Sequence, residues 1–388
     1  MDWVRLGDIA DIKAGGTPSR SNKEYWDNGK IPWAKISDFN GKFLDQTDEF
    51  INENGLENSS AKLFKAGTIL YSIFATIGEA TILNIDSSTN QAIAGINVNE
   101  DLALKEYVYY YLLSIKDEVI AKSRGVAQNN INLSILKNFK ILLPDKKTQK
   151  SIVECLSVAE KLIKIRQDQV QALDDLLESS FYQMFGDIIS TKYDVLKIDE
   201  IAKSTQYGTS KKADDKTGNY PILRMGNITY NGLLDLNDLK YIDISDDEKD
   251  KYLVKNGDIL FNRTNSKELV GKTAIYNLDQ EMAYAGYLIR LRVNEKINPI
   301  FLSRQMNMSF FKKTLFIKAK ASINMSNINS KELREFKIIC PPIEKQNKFA
   351  DLVRKIEGQK GILEESLSEL SDLFASLMQD AFDGSLGK

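Results

Sequence analysis

Two textures alternate along this chain. Short, β-branched apolar runs broken by Gly, Asn and Asp give way after Pro144 to apolar residues at helical spacing, and the same change recurs after Pro341. In the first textured stretch Thr68–Phe74, Ala80–Ile85 and Ile93–Val98 read as strands. Ile259–Phe261, Lys272–Tyr276 and Leu288–Val293 do so in the second. Glu106–Ser123 and Pro299–Ile317 have helical spacing and length. Beyond Pro144, a four-three rhythm runs through Ile152, Leu156, Ala159, Ile163, Arg166, Val170, Leu173, Leu177, Ser180 and Met184. Beyond Pro341 it runs through Phe349, Val353, Ile356, Lys360, Leu363, Leu367, Leu370, Phe374, Leu377 and Ala381. A seven-residue repeat sustained this long predicts two helices packed as a coiled coil, each of about 40 residues and so roughly 60 Å.

The recurrence is a duplication. Asn132, Leu136, Phe139, Lys140 and Pro144 return as Asn329, Leu333, Phe336, Lys337 and Pro341, all at an offset of 197. Every seam position of the first helix maps onto the second at that offset. Earlier in the chain the offset is smaller. Leu6-Gly7-Asp8-Ile9-Ala10 answers Ile198-Asp199-Glu200-Ile201-Ala202, Lys65-Ala66-Gly67 answers Lys255-Asn256-Gly257, and Gly78 answers Gly271. A period of nearly half the chain is a copied domain, since solenoid units run about 20–50 residues. The sequence thus predicts two mixed α/β globules, residues 1–144 and 191–341, each followed by a helical spacer, residues 145–190 and 342–388. The two helices should pack antiparallel about a pseudo-dyad.

Composition narrows the function. No apolar run nears the roughly 18 residues that span a bilayer, and the first residues do not form a signal peptide, so a cytoplasmic protein with no membrane partner is expected. The two cysteines, Cys155 and Cys340, are too few for a disulfide framework and sit in apolar settings, as buried small residues would. The chain has no histidine. That removes histidine nucleophile systems and histidine metal sites, and it leaves catalysis to carboxylates, lysine or tyrosine. The net charge of −2 hides an asymmetry: residues 191–341 hold 25 Lys/Arg against 19 Asp/Glu, while both spacers are acidic. Positive charge helps nucleic-acid binding only on the face near phosphates.

Known chemical motifs are absent. Gly271-Lys272-Thr273 lacks the upstream glycine of a phosphate-binding loop, since position 266 is Ser. Acidic pairs such as Asp214-Asp215 and Asp246-Asp247-Glu248 fall in polar stretches and read as solvated loops. What remains are polar and basic residues at loop-like places. In the first copy these are Thr17, Ser19, Arg20, Lys35, Ser37, Ser72, Thr76 and Gln91. In the second they are Ser210, Lys211, Lys212, Arg224, Asn227, Asn262, Arg263, Thr264, Asn265 and Lys267. Arg and Lys suit guanine's major-groove edge, Asn and Gln adenine's, and Ser/Thr either edge or a phosphate. They are the candidate DNA contacts, with Asn262-Arg263-Thr264-Asn265 the sharpest cluster.

Taken together, Gly15-Gly16-Thr17-Pro18-Ser19-Arg20, Glu24-Tyr25-Trp26, Ile31-Pro32-Trp33 with Lys35-Ile36-Ser37-Asp38, Thr89-Asn90-Gln91-Ala92-Ile93, and the proline-led helix starts with Gln149 and Gln346 resemble the specificity subunit of type I restriction-modification enzymes. The likeness covers the whole chain, although the second copy lacks the Gly-Gly-Thr-Pro run and the Asn-Gln pair. The resemblance implies a subunit without catalysis or cofactor of its own, with each globule reading one half of a split double-stranded DNA site and the helices setting the gap. It implies two modification subunits carrying S-adenosylmethionine, docked on the helices, and a restriction subunit carrying ATP and magnesium. The alternatives are a metal-dependent carboxylate nuclease and a coiled-coil protein adaptor.

Overall fold

The computed structural model describes residues 2–123, 131–266, 269–318, 320–321, 326–383 and 385. It divides into two compact units, residues 1–167 with 365–388 and residues 168–364. The boundaries fall inside the two long helices, Lys146–Phe185 and Ile343–Asp383, so that each helix begins in one unit and ends in the other.

Unit 1 is built on a five-stranded sheet in the order Ala10–Ala14, Ile93–Val98, Ile69–Ser72, Ala80–Leu83, Phe43–Leu44. Only the last pairing is parallel. A smaller sheet joins Glu49–Ile51, Ile31–Ala34 and Ser88–Thr89, and Asp2–Arg5 pairs with Lys140–Leu143 next to the first long helix. Unit 2 repeats the plan. Ala202–Tyr207, Leu288–Val293, Ile259–Asn262 and Thr273–Ile275 make its main sheet. Lys240–Ile242, Tyr220–Leu223 and Ala283–Tyr284 make the smaller one, and Asp194–Lys197 pairs with Lys337–Cys340. The run after Phe261 adds a short three-stranded ladder of its own, Thr264–Asn265 with Ser326–Asn327 and Lys320–Ala321.

Within each unit both long helices pack on the same core. In unit 1, Tyr107 and Tyr111 meet Phe382 of the second long helix at ring distances of 5.2 and 5.8 Å. In unit 2, Phe181 and Phe185 of the first long helix close on Phe301 and Phe349 at 5.0–5.7 Å. Such ring pairs contribute about 0.5–1.5 kcal/mol each beyond the area they bury. The start of one helix and the end of the other share each core, so they run antiparallel there. The expected seam is observed: all of its positions in both helices are buried or half-buried. Two seam positions are charged, Arg166 in the first helix and Lys360 in the second. Lys360, only 2% exposed, ion-pairs with Asp174 of the other helix at 2.5 Å inside unit 2. A lone buried ammonium is costly, so this pair fixes the register of the two helices there.

Each helix start is latched by a buried glutamine. Gln149 donates to the carbonyl oxygens of Leu102 and Pro144 at 3.3 and 2.9 Å and accepts from the Leu104 amide at 2.8 Å. Gln346, 197 positions on, donates to the Lys296 and Pro341 carbonyls at 3.0 and 2.7 Å and accepts from the Asn298 amide at 2.8 Å. Three backbone groups in each copy are satisfied by one side chain, which explains why a glutamine stands just after each proline.

Three expectations change. The helix read over Glu106–Ser123 is two helices, Lys105–Ser114 and Lys116–Ser123. The helix read over Pro299–Ile317 divides into Pro299–Asn307 and Ser309–Lys318, with Met308 extended. There Asn307 donates its amide to the Ser303 carbonyl and to Thr273, and this side-chain competition for backbone groups ends the helix without a proline. Cys155 is exposed on the outer face of the first long helix rather than buried, and Cys340 is half-buried. No described helix is long and apolar enough to cross a membrane.

Candidate nucleic-acid interface

The two units hold their loops by the same backbone hydrogen bonds. In unit 1, Gly15 donates to Ile93 and Gly16 to Thr89; in unit 2, Gly208 donates to Leu288 and Thr209 to Tyr284. A Cβ on Gly15 would lie 2.4 Å from the Asn90 carbonyl oxygen, and one on Gly208 would lie 2.2 Å from that of Tyr284. Both turns therefore need a glycine to lie on the facing strand. The Gly-Gly-Thr-Pro run does have a counterpart, Gly208-Thr209-Ser210-Lys211, which a motif comparison does not reveal.

A second loop is capped alike in both units. The Lys35 amide donates to Asp38 at 2.8 Å and the Arg224 amide to Asn227 at 2.9 Å. Each cation then faces a carboxylate 14 residues on: Lys35 pairs with Glu49 at 2.9 Å, and Arg224 with Asp238 at 2.8 Å. In unit 1 Arg20 also reaches Glu49, at 2.5 Å, and its guanidinium lies 3.8 Å from the centre of the Trp26 ring and 4.7 Å from that of Trp33. Partial burial pushes the Glu49 carboxyl upward, but the hydrogen bonds from Arg20 and Lys35 outweigh it and hold the group below the usual carboxylate range. The hydrogen bond to Glu49 raises Lys35 in turn.

The third loop follows the central strand. Ser72 and Asn262 accept equivalent bonds from Gly78 and Gly271. Ile73 and Arg263 donate to Ala92 and Tyr287 and accept from Ile131 and Ile328. Because Ala92 adjoins Gln91, which bonds to Thr17, this loop and the glycine turn meet. All three loops leave the same end of the main and small sheets. The candidate residues therefore converge on one end of each unit, although they come from distant parts of the chain.

Their exposure differs. Thr17, Ser19, Arg20, Lys35, Ser37, Thr76 and Gln91 are exposed or half-exposed in unit 1, as are Ser210, Lys211, Lys212, Arg224, Arg263 and Asn265 in unit 2. Lys211 is paired to Glu248 at 2.5 Å. Ser72, Asn227, Asn262 and Thr264 are buried. Ser72 donates to the Thr76 carbonyl at 2.5 Å and accepts from Glu79, so its hydroxyl shapes the loop rather than facing solvent. The Asn227 amide group donates to the Asp235 and Asp238 carbonyls, and Asn262 accepts from the Thr264 amide. Lys267 lies outside the described residues. Two side chains absent from the sequence expectation stand at the same end of unit 2: Tyr207 and Tyr287, both partly exposed. At strand ends such aromatics look like core, and only their exposure distinguishes them.

The acidic pairs are engaged locally. Asp214 caps the amides of Lys216 and Thr217, Asp215 pairs with Lys240, and Asp246 pairs with Lys249. Among the described residues, no three acidic, cysteine or histidine side chains come together as a metal site. Away from the loops, a cleft of about 820 Å³ in unit 2 lies between the first long helix and residues 304–317. There burial pulls the Lys312 ammonium down to about 8.

The family model described as "Type I restriction modification DNA specificity domain" matches residues 1–174 and again residues 191–371. A curated relative, the type I restriction enzyme EcoR124I/EcoR124II specificity subunit of Escherichia coli, is 31% identical over 196 residues. That match covers 46% of this chain and 48% of the relative, so the chain spans about half the length of this relative. Among solved structures, the type I restriction-modification S subunit from M. genitalium aligns over 98% of this chain and 96% of its own with a TM-score of 0.57 at 15% identity. A chain from a study of complex assembly and conformational transition of the type I R-M system aligns over 99% and 98%, with a TM-score of 0.58 at 16% identity. At these identities the likeness is one of fold.

Proposed function

This chain belongs to the type I restriction modification DNA specificity family, and from that membership we propose a non-catalytic subunit that reads a split DNA sequence, one half with each unit. The observation that carries this reading is the convergence of three loops on one end of each unit. Equivalent backbone bonds hold them, yet they present different side chains. A fixed scaffold with variable tips is what a reader of two unlike half-sites requires, since base edges are distinguished by side-chain donors and acceptors.

The long helices serve as the spacer. Helices of 40 and 41 residues extend roughly 60 Å, more than one DNA turn of about 34–36 Å. The first of them also presents a stripe outside its seam, Cys155, Val158, Leu162 and Ile165, all exposed at three-four spacing within unit 1. Apolar side chains in that rhythm suit a partner's helix. Two modification subunits bearing S-adenosylmethionine dock on the helices, and a restriction subunit bearing ATP and magnesium joins them. This chain binds no cofactor and works in the cytoplasm. Because the acidic helices offer little to phosphates, DNA affinity rises sharply when the partners add their own surface.

The test is to mix the purified chain with its modification subunit, expose random-sequence DNA, and map the methylated adenines. One bipartite sequence with a constant gap is expected. Methylation without sequence preference would overturn the reading.

A further inference from the structure

The units differ in chemistry at one shared scaffold position. Ile73 and Arg263 make the same two backbone hydrogen bonds after the same strand, but Ile73 is buried in the core of unit 1 while Arg263 is half-exposed. A partly buried guanidinium normally acquires a carboxylate, because removing charge from water is costly. Arg20 and Arg224 on the neighbouring loops follow that rule, tied to Glu49 and Asp238. Arg263 makes no ion pair among the described residues, and its Nε, like that of Arg224, is buried without an acceptor. It is held instead by an aromatic face: its Cζ lies 5.0 Å from the centre of the Tyr207 ring. Tyr207 is itself anchored, its hydroxyl accepting from the Ser330 amide at 2.8 Å. The two neighbours in the tip, Asn262 and Thr264, are buried, so the arginine is the tip's exposed cation among the described residues.

A guanidinium held over an aromatic ring with donors to spare is made for a planar pair of acceptors. Lys212, exposed on its flexible stem, suffices for a phosphate, whereas a fixed fork matches the O6 and N7 of guanine. We propose that Arg263 reads a guanine in the half-site of unit 2, and that Tyr207 is the positioning residue that holds its guanidinium in plane. The proposal rests on the chain being a DNA-reading subunit and adds which base chemistry the second unit selects.

The experiment is methylation mapping with the assembled complex, comparing the native chain with Arg263→Ala, Arg263→Lys, Tyr207→Phe and Tyr207→Ala. Thermal unfolding of each complex serves as the folding control. The native half-site of unit 2 should contain a G·C pair. Arg263→Ala should relax that one position by about ten- to a hundredfold while the other half-site keeps its sequence. Arg263→Lys should relax it partly, Tyr207→Ala should follow Arg263→Ala, and Tyr207→Phe, which keeps the ring but loses the Ser330 anchor, should relax it less than Tyr207→Ala. Three results would overturn the proposal: no G·C pair in that half-site, unchanged discrimination in a folded Arg263→Ala complex, or a uniform loss across all positions with a shallower salt dependence. The last would make Arg263 a phosphate contact. If Arg263→Ala does not fold, Arg263→Lys and the tyrosine pair decide. Should the native complex show no preferred sequence at all, the reading of the chain's function fails instead.

Discussion

The tips of the two units are the same loop with different ends. Unit 1 leaves its central strand through Ile73-Phe74-Ala75-Thr76, unit 2 through Arg263-Thr264-Asn265, and the same backbone bonds fasten both. Unit 1 buries its first tip residue and exposes Phe74, with Ala75 held at a φ of 60°. Unit 2 raises an arginine on a tyrosine face. In a reader of the kind proposed, such a contrast changes what is read without changing how the loop folds. Backbone bonds carry the loop, so its exposed tip side chains can differ without altering the loop's path. Substitutions in the shared scaffold should therefore weaken both units alike, and substitutions where the units differ should act on one only.

The largest effect is expected at the latches. Gln149→Leu and Gln346→Leu each strand one amide and two carbonyls in a buried site. Each should lower stability by roughly 3 kcal/mol or more, by similar amounts, in denaturant unfolding. A large loss at one and none at the other would break the equivalence of the units. The seam offers the opposite case. Asp174→Ala leaves the buried Lys360 ammonium unpaired and should cost about 3 kcal/mol. Ser371, at the offset of 197, bonds among the described residues to its own helix alone, and Ser371→Ala should stay within about 0.5 kcal/mol. Adding Lys360→Met to Asp174→Ala should recover most of the loss.

Two further effects separate the tips and clefts. Ala75→Gly should stabilise the protein by about 1 kcal/mol, because a left-handed conformation costs alanine what it does not cost glycine. A pH effect comes from Lys312. Burial holds its folded pKa at about 8 while the unfolded chain keeps the proton to the ordinary 10.5. Between those values the unfolded state binds more protons, so this residue makes stability rise with pH across about 8 to 10.5. Unfolding midpoints of the native protein and Lys312→Met, compared across that window, should converge towards its upper end. Lys42 in unit 1 is depressed in the same direction by the same cause, so both units carry a desolvated lysine.

Much of this was legible in the sequence, for reasons that differ by element. The seam could be read in full because a seven-residue rhythm is set by helix geometry alone, and the strands Ile93–Val98 and Leu288–Val293 end where their apolar runs end. The helix breaks at Ile115 and Met308 could not, since they depend on side chains such as Asn307 capturing a backbone carbonyl. The candidate loops converge as groups, but which members face solvent is decided by tertiary packing. Ser72 and Asn262 have reading-type side chains and are spent inside the scaffold. Tyr207 and Tyr287 have core-type side chains and stand outside it. Cys155 is exposed because it lies off the seam, on a helix face that no described residue of its own unit covers.

The central claim is that each unit reads one half-site on its own. Replacing residues 1–144 with the corresponding segment of a relative that methylates a different sequence, then mapping methylated adenines with the native modification subunit, tests it directly. The account predicts that one half-site changes while the other half and the gap stay as they were. A change in both halves, or in neither, would contradict it.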